Sequence, residues 1–206
     1  MNPGDGFRKE NVSAGKDCVI SPSCSLDNVV LGDGVVIRDG VRLRNAVIGD
    51  FTHIARNVTF YSPLAERPIR IGHHCWFSYG VFGEATGGEI QIGDYVVMAH
   101  RTTLVTSSGP GPQSPIMNAL YPVHCGTVRI GAHCWLCANV VILPDAVFEE
   151  GVILGANSLA STGRFDSWSL YAGNPARLLK RLDPAHIQAV RLQLGLETPG
   201  EVRPGQ

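Results

Sequence analysis

Hydrophobic residues in the second half of the chain recur at every sixth position. The steps are strict from residue 130 onward and fall on Ile130, Leu136, Ile142, Phe148, Leu154 and Ala160. Four places after the start of each six-residue unit stands a small or β-branched residue, as at Val140 and Val152. A period of six fits neither a helix nor a plainly alternating strand. It predicts short strands with a corner every six residues, where a large side chain fills each face and a small one fits inside each corner.

A longer repeat shows the same arrangement. The segment LDNVVLGDGVVIRDGV at 26–41 returns as LRNAVIGDFTHIARNV at 43–58. Three six-residue units bring the chain once round, so about seven coils are predicted between Ile20 and Arg164. Residues 60–70 and 83–91 are predicted to be small corner insertions, and the Pro- and Gly-rich residues 109–127 a long loop. Because the repeat resumes in register at Ile130, this loop is expected to leave and rejoin the coil at one corner.

The two ends of the chain do not follow the repeat. Residues 1–19 are predicted to be a polar N-terminal segment, and residues 20–182 the repeat domain. Asp183 followed by Pro184 is typical of a helix start, so a C-terminal helix is predicted at 183–195, ending at Gly195. Residues 196–206 are predicted to be a tail.

Composition narrows the class of protein. The 206 residues include 24 Gly and 13 Pro, which disfavours a helical bundle, and 44% are hydrophobic against 17% charged, which excludes a disordered chain. The formal net charge is −1 and no basic run is present, so nucleic acid is not an expected partner. No apolar stretch is long enough to span a membrane. The polar N-terminal sequence and the six cysteines, expected to be reduced, favour a cytoplasmic protein.

The sequence from residue 128 to 182 resembles the carboxyl-terminal signature of the hexapeptide-repeat acyltransferases. It reads VRIGAHCWLCANVVILPDAVFEEGVILGANSLAS, followed by SLYAGNPARLLKRL. The family includes maltose, galactoside and other sugar acetyltransferases. The resemblance implies an all-β, left-handed parallel β-helix with a long loop and a short C-terminal helix, assembled as a homotrimer with coenzyme A between neighbouring prisms. It also implies an acetyl-CoA-dependent enzyme that acylates a sugar hydroxyl or amine in polysaccharide or nucleotide-sugar metabolism.

The resemblance assigns residues to the coenzyme. Corner residues matching the stretch that contacts the pantetheine arm are Cys137, Ala138, Ala156 and Asn157. Residues matching the tail that contacts the phosphates are Arg177, Lys180 and Arg181. The family often has Thr-Lys-Asp after the last coil, where this chain has Ser161-Thr162-Gly163-Arg164, so Arg164 is the candidate to replace that lysine.

The general base is where this chain departs from the family. Sugar acetyltransferases carry the catalytic histidine in a Thr-x-x-His-Pro stretch, and the matching residue here is Gly109. His124, which returns at the end of the long loop, is the first candidate for a replacement base, and His100 is the second. The other histidines are expected to be solvated corner residues or structural ones: His53, His73, His74, His133 and His186.

Acceptor binding is expected in the preceding coil. Glu84 falls near an Asp that relatives use to hold a sugar hydroxyl, and Ser78 and Tyr79 share its coil. No metal is expected, because residues three apart in a strand, such as Cys134 and Cys137, point to opposite faces. Two alternatives stay open: an inactive scaffold or coenzyme-binding protein that lost its base at Gly109, and an enzyme whose acceptor amine arrives deprotonated.

Overall fold

The chain winds into a three-sided parallel β-solenoid. This computed structural model describes residues 9–196. The first face stacks one short strand from each coil, in the order β2 (Val19–Ile20), β4 (Val36–Ile37), β6 (His53–Ile54), β9 (Trp76–Phe77), β12 (Val97–Met98), β17 (Trp135–Leu136), β20 (Ile153–Leu154) and β23 (Ser169–Ala172). The last strand of this sheet, β24 (Arg177–Arg181), pairs antiparallel with β23 and ends the stack.

The second and third faces form one larger sheet. Three long strands, β1 (Lys9–Ala14), β3 (Ser25–Leu31) and β5 (Arg42–Ile48), continue from one face to the other. The second face then adds β7 (Thr59–Tyr61), β10 (Phe82–Glu84), β13 (Thr103–Val105), β18 (Val141–Ile142) and β21 (Leu159–Ala160). The third face adds β8 (Ile69–Ile71), β11 (Ile90–Ile92), β16 (Val128–Ile130), β19 (Ala146–Phe148) and β22 (Gly163–Phe165).

The solenoid therefore confirms the predicted fold and extends it at both ends. It has about nine turns, where about seven coils were expected. One addition is β1, which pairs with β3. Its polar sequence KENVSA does not follow the six-residue pattern, so it was not predicted as a strand. The other addition is β23, in a last coil where the spacing from Ala160 to Phe165 is five residues, one fewer than from Ile142 to Phe148 in the coil before it. Within the described residues β1 pairs with β3 alone, so its sequence is less constrained by the repeat.

The core contains the large and small positions that the period of six predicts. Phe60, Phe77 and Phe148 are among its largest fully buried side chains. The small residues four places on, including Val35, Cys75, Val140 and Val152, are buried inside the corners. Stacking adds one more contact at these corners, because the Cys75 thiol donates to the Gly93 carbonyl of the next coil at 3.1 Å.

Three corners separate the faces and differ in character. The first corner lies between the first and second faces and includes residues 38–41, 55–58, 78–81, 99–102, 137–140 and 155–158. The second corner lies between the second and third faces and carries every insertion, at 62–68, 85–89 and 106–127. The third corner lies between the third and first faces and includes residues 49–52, 72–75, 93–96, 131–134, 149–152 and 166–168.

The long loop leaves and returns at the second corner, as predicted. Its two ends, β14 (Ser107–Ser108) and β15 (His124–Cys125), pair antiparallel, with Ser108 opposite His124. Between them lies a short helix, α1 (Pro115–Leu120), with no buried residue. Gly109 follows β14 and passes so close to the returning chain that an added Cβ would lie 2.7 Å from the Val123 Cα. A side chain at position 109 therefore needs a different loop path.

The third corner carries a column of stacked rings. Phe51, His74, Tyr95, His133 and Trp168 stack in that order, with ring centroids 5.1, 4.9, 5.0 and 6.3 Å apart. All five adopt positive φ, which side chains of this size rarely do. Ring stacking along the column offsets part of that cost. His74 and His133 are exposed as predicted, but each is also packed between two rings.

The C-terminal helix confirms its prediction. α2 (Pro184–Gln193) starts at the N-cap Asp183, whose side chain accepts a hydrogen bond from the Ala185 N–H at 3.0 Å. Arg191 fastens this helix to the third corner, since its guanidinium lies over the Trp168 ring and pairs with Glu150 at 2.6 Å. Of the predicted tail, residues 197–206 lie outside the described part of the chain, as do residues 1–8 of the N-terminal segment.

Burial of the cysteines leads to a labelling prediction. Burial raises the pKa of Cys75 to about 11 and that of Cys134 to about 12, whereas Cys125 is exposed on the long loop. Since the thiolate is the reactive form, iodoacetamide at pH 8 should modify Cys125 in the native protein and leave Cys75 and Cys134 unmodified until it unfolds. Peptide mass spectrometry of native and urea-unfolded samples measures this. Equal labelling of Cys75 and Cys125 in the native protein would contradict the buried corner.

No helix within residues 9–196 has the length and apolar character needed to cross a membrane.

Candidate active site

The first corner collects most of the predicted site residues, and four of them form one column. Tyr79, His100, Ala138 and Ala156 occupy the same position of this corner in successive coils. Backbone hydrogen bonds fix the stacking: Arg101 N–H donates to Tyr79 C=O at 3.0 Å, and Asn139 N–H donates to His100 C=O at 2.8 Å. Since stacked strands are about 4.8 Å apart, Tyr79 and Ala156 are separated by about 14 Å along the column. Predicted acceptor, base and coenzyme residues thus share one edge of the solenoid.

Cys137, Asn157 and Ser78 belong to the same corner. Ser78 and Cys137 take the position just before that of His100 in their coils, and Asn157 the position just after it. Asn157 is exposed, and its side-chain oxygen accepts from the Asn139 amide at 2.7 Å. Burial raises the pKa of the Cys137 thiol, which keeps this sulfur neutral at physiological pH.

An open groove lies on the N-terminal side of His100. Its cavity volume is about 520 Å³, and it is lined by Arg38, Ala55, Arg56, Trp76, Ser78, Tyr79 and His100. Three of the residues predicted from sequence, Ser78, Tyr79 and His100, therefore line one groove. Arg38, Arg56 and Trp76 were not predicted. Register could have found Arg56, because it holds the same corner position as Tyr79, one coil before Tyr79 and two coils before His100.

Hydrogen bonds and stacking organise the far end of this groove. Arg38 Nε donates to His53 Nε2 at 3.4 Å, and the His53 ring stacks on Trp76 at 4.0 Å. Burial, and then the charge of Arg38, lower the pKa of His53, so this imidazole is a neutral acceptor. Arg56 Nε pairs with Asp39 Oδ2 at 3.3 Å. A hydrogen bond from the Ser21 hydroxyl is the largest cause that lowers the pKa of Asp39.

His124, the first candidate for the base, lies at the second corner. Its Nε2 is 3.1 Å from Asp145 Oδ2, and the other oxygen of Asp145 accepts from the Thr127 N–H at 3.1 Å. Gly126 makes this contact possible, because a Cβ there would overlap the Asp145 carboxylate. Asp145 was not predicted, since it lies 21 residues from His124 in sequence and meets it only through coil stacking. A carboxylate in this position orients an imidazole, and it also ties the returning loop to the coil.

Glu84 shares the side of His124 rather than that of His100. It ends β10 where the chain enters the second corner, and its carbonyl accepts from the Thr106 N–H at 3.1 Å. The second face separates the two corners by about five residues of extended chain, or roughly 15 Å. Within one subunit, the structure therefore brings Ser78 and Tyr79 to His100 but does not bring Glu84 to them.

The four predicted phosphate-binding cations lie in three places. Arg177 follows Ala176 at the end of the first corner, where the Ala176 N–H donates to Leu159 C=O at 2.8 Å. Arg181 lies at the other end of β24, opposite Ser169, and pairs with Asp166 at 2.7 Å; Lys180 lies opposite Leu170 between them. Arg164 is on the third face and pairs with Glu149 at 3.1 Å. Arg177 alone of these four lies at the first corner, opposite Ala172.

The residues described here offer no metal centre. No group of three or more His, Cys, Asp or Glu side chains within residues 9–196 could hold a metal ion. Cys134 is buried inside the third corner, where its thiol donates to Glu149 C=O at 3.1 Å, and Cys137 belongs to the first corner.

Comparison with known proteins identifies the class. No protein-family model matches the chain. It is 26% identical over 152 residues to a dTDP-4-amino-4,6-dideoxy-D-glucose acyltransferase of Escherichia coli, in an alignment that covers 63% of this chain and 79% of that protein. It is 29% identical over 113 residues, 45% of this chain and 57% of the relative, to WbbJ of Escherichia coli strain K12, named as a lipopolysaccharide biosynthesis O-acetyl transferase.

A solved structure extends the similarity over nearly the whole chain. AntD, an N-acyltransferase from Bacillus cereus crystallised with dTDP and 3-hydroxybutyryl-CoA, is 25% identical with a TM-score of 0.56, covering 92% of this chain and 91% of its own. Sequence and fold therefore agree on the acyltransferases of the hexapeptide-repeat family, which confirms the predicted resemblance. Both relatives and AntD are named as acyl- or acetyltransferases, which is the class that the sequence resemblance implies.

Proposed function

We propose that the protein transfers an acyl group from coenzyme A, with acetyl-CoA as the donor, to a sugar hydroxyl or amine. The observation that carries this proposal is the first corner, where the acceptor groove, His100 and the coenzyme candidates Ala138 and Ala156 follow one another coil by coil. The relatives support it, since the Escherichia coli acyltransferase is named for an amino sugar linked to dTDP. That relative favours an amine acceptor on a nucleotide-linked sugar, and WbbJ supports a hydroxyl.

In this proposal the imidazole of His100 is the general base. It removes a proton from the acceptor as the acceptor nitrogen or oxygen attacks the thioester carbonyl. Backbone N–H groups of the corner stabilise the oxyanion that forms on the carbonyl oxygen. The carbon–sulfur bond then breaks, the thiolate of coenzyme A leaves with the electron pair, and the proton held by the imidazole neutralises it.

His100 replaces His124 as the preferred base for a geometric reason. Both were candidates from sequence, but His124 is held at the second corner. The second face, roughly 15 Å wide, separates it from the first-corner column that contains Ala138 and Ala156. His124 reaches that column only if the loop of a neighbouring subunit lies against it. The proposed homotrimer supplies neighbours, and half-exposed apolar side chains beside the first corner, Trp76 and Trp135, support a subunit contact there. A cytoplasmic location is part of the proposal, because the six cysteines are free thiols.

Coenzyme binding at the first corner is tested by blocking it. Ala138 holds the position of His100 in the next coil, and replacing it with Trp fills the first corner there. The affinity for coenzyme A measured by calorimetry should therefore fall at least about tenfold. Ala132→Trp is the matched control, since Ala132 is equally half-buried in the same coil but at the third corner.

Ala156→Trp, one coil further on, gives a second test if Ala138→Trp does not fold. Circular dichroism spectra of all three variants should match that of the parent protein. Equal coenzyme affinity in the two first-corner variants and the control would overturn this binding site. No saturable coenzyme binding by the parent protein would overturn the enzyme and leave a scaffold.

A further inference from the structure

Two arginines stand at the N-terminal end of the acceptor groove. Arg38 and Arg56 come from successive coils of the first corner, and both are exposed. Backbone pairing fixes their coils against each other, since the Arg38 N–H donates to Ile54 C=O at 2.9 Å and the Asn57 N–H to Asp39 C=O at 3.0 Å. Two positive charges therefore lie close together on the edge that carries His100.

Each guanidinium is held through one nitrogen. Arg38 uses Nε to bond neutral His53, and Arg56 uses Nε to pair with Asp39. Binding through Nε leaves the two terminal nitrogens of each guanidinium as a fork for a ligand. Such forks match the oxygens of phosphate groups, and two adjacent forks match two adjacent phosphates.

The space between these arginines and His100 has defined walls. Arg56 and His100 hold equivalent corner positions two coils apart, a distance of about 10 Å. Tyr79 lies between them at the same position, with Ser78 beside it, and Trp76 adds a second ring to the wall. Both rings are about half exposed, so they offer a flat apolar surface next to a hydroxyl. A sugar ring binds well to such a combination, and a sugar with one phosphate spans this distance.

We propose that Arg38 and Arg56 bind the diphosphate of a nucleotide-linked sugar, which places the sugar against Ser78 and Tyr79 and its acceptor group at His100. This assignment rests on the proposed acyl transfer. The assignment orders the two substrates along the first corner. The acceptor occupies the N-terminal coils, and the donor occupies the C-terminal coils from Ala138 to Arg177. The two substrates meet at His100. Arg38 and Arg56 are then specificity residues, because an uncharged sugar gains nothing from them.

Titration of the full-length protein with thymidine diphosphate and with inorganic pyrophosphate tests this assignment. Binding is followed by calorimetry and by the tryptophan fluorescence of the protein, to which Trp76 in the groove contributes together with Trp135 and Trp168. The double variant Arg38→Ala/Arg56→Ala should bind both ligands at least about 100-fold more weakly, because each arginine supplies charge-assisted hydrogen bonds to the diphosphate. Arg38→Lys/Arg56→Lys should restore part of the affinity, since it keeps the charge but not the fork.

The control is Arg70→Ala, which removes an exposed arginine from the third face and should leave both affinities unchanged. Thymidine diphosphate binding that is equal in the parent protein and the double variant would overturn the assignment, and so would loss of binding in Arg70→Ala. Coenzyme A affinity of the double variant separates the two proposals. The double variant should bind coenzyme A with the affinity of the parent protein. If the parent protein does not bind coenzyme A, the proposed acyl transfer is overturned. Binding of thymidine diphosphate then still tests the role of the two arginines.

Discussion

Replacing His100 with alanine is expected to lower kcat for acyl transfer by about two to four orders of magnitude, the usual contribution of a general base. Affinity for coenzyme A should change little, because Ala138 and Ala156 remain in place. The rate is measured from the release of free coenzyme A thiol, with amino sugars linked to nucleoside diphosphates as acceptors. His100→Gln, which keeps a polar side chain but cannot take the proton, should be as slow as His100→Ala.

His133→Ala is the matched control for this experiment. His133 is also an exposed corner residue of the solenoid, but it stacks in the column of the third corner. It should keep the parent rate. His124→Ala should also keep most of the rate if the base is His100. A large loss in His124→Ala with full activity in His100→Ala would instead place the base on the loop of a neighbouring subunit, beside Asp145.

Replacing Phe77 with alanine is expected to destabilise the protein by about 3–5 kcal/mol, the range for removing a large buried aromatic side chain. Phe77 is fully buried and meets Phe60 edge to face at 5.3 Å between centroids. Neighbouring coils cannot close the cavity, because their backbones are held by hydrogen bonds on both sides of β9. Urea unfolding followed by circular dichroism gives the change in free energy.

Phe82→Ala is the control for this second experiment. Phe82 has the same side chain in the same coil, but it points outward and is 36% exposed. Its loss should cost about 1 kcal/mol or less, in line with surface substitutions. Similar free energies of unfolding for the two variants would show that the interior of this coil relaxes around a missing ring.

The repeat made most of the fold predictable from sequence. A large residue such as Leu136 and a small one such as Val140 recur because each coil packs on the previous one. The pattern therefore shows which side chains point into the core and which point to solvent. The end turns escaped prediction for the same reason. β1 has a partner on one side only, and its polar sequence lacks the repeat of large and small apolar residues that identifies the other coils.

The site was less predictable because corner position, rather than residue type, decides which side chains meet. Arg56, Tyr79 and His100 are distant in sequence and unlike in chemistry, yet they hold one position in successive coils. Counting position within the coil brings them together. The contact between His124 and Asp145 depends on the path of the long loop, and the six-residue pattern holds no information on that path.

Because every insertion lies at the second corner, variation in loop length is kept apart from the residues that line the first corner. Loops there can lengthen, shorten or change sequence without altering the spacing of successive coils along the first corner. The loop residues at 109–123 can be exchanged while the distance from Arg56 to His100 stays set by backbone hydrogen bonds. Natural variation and loop grafting can therefore alter which molecules approach this protein without disturbing the alignment of the groups that react.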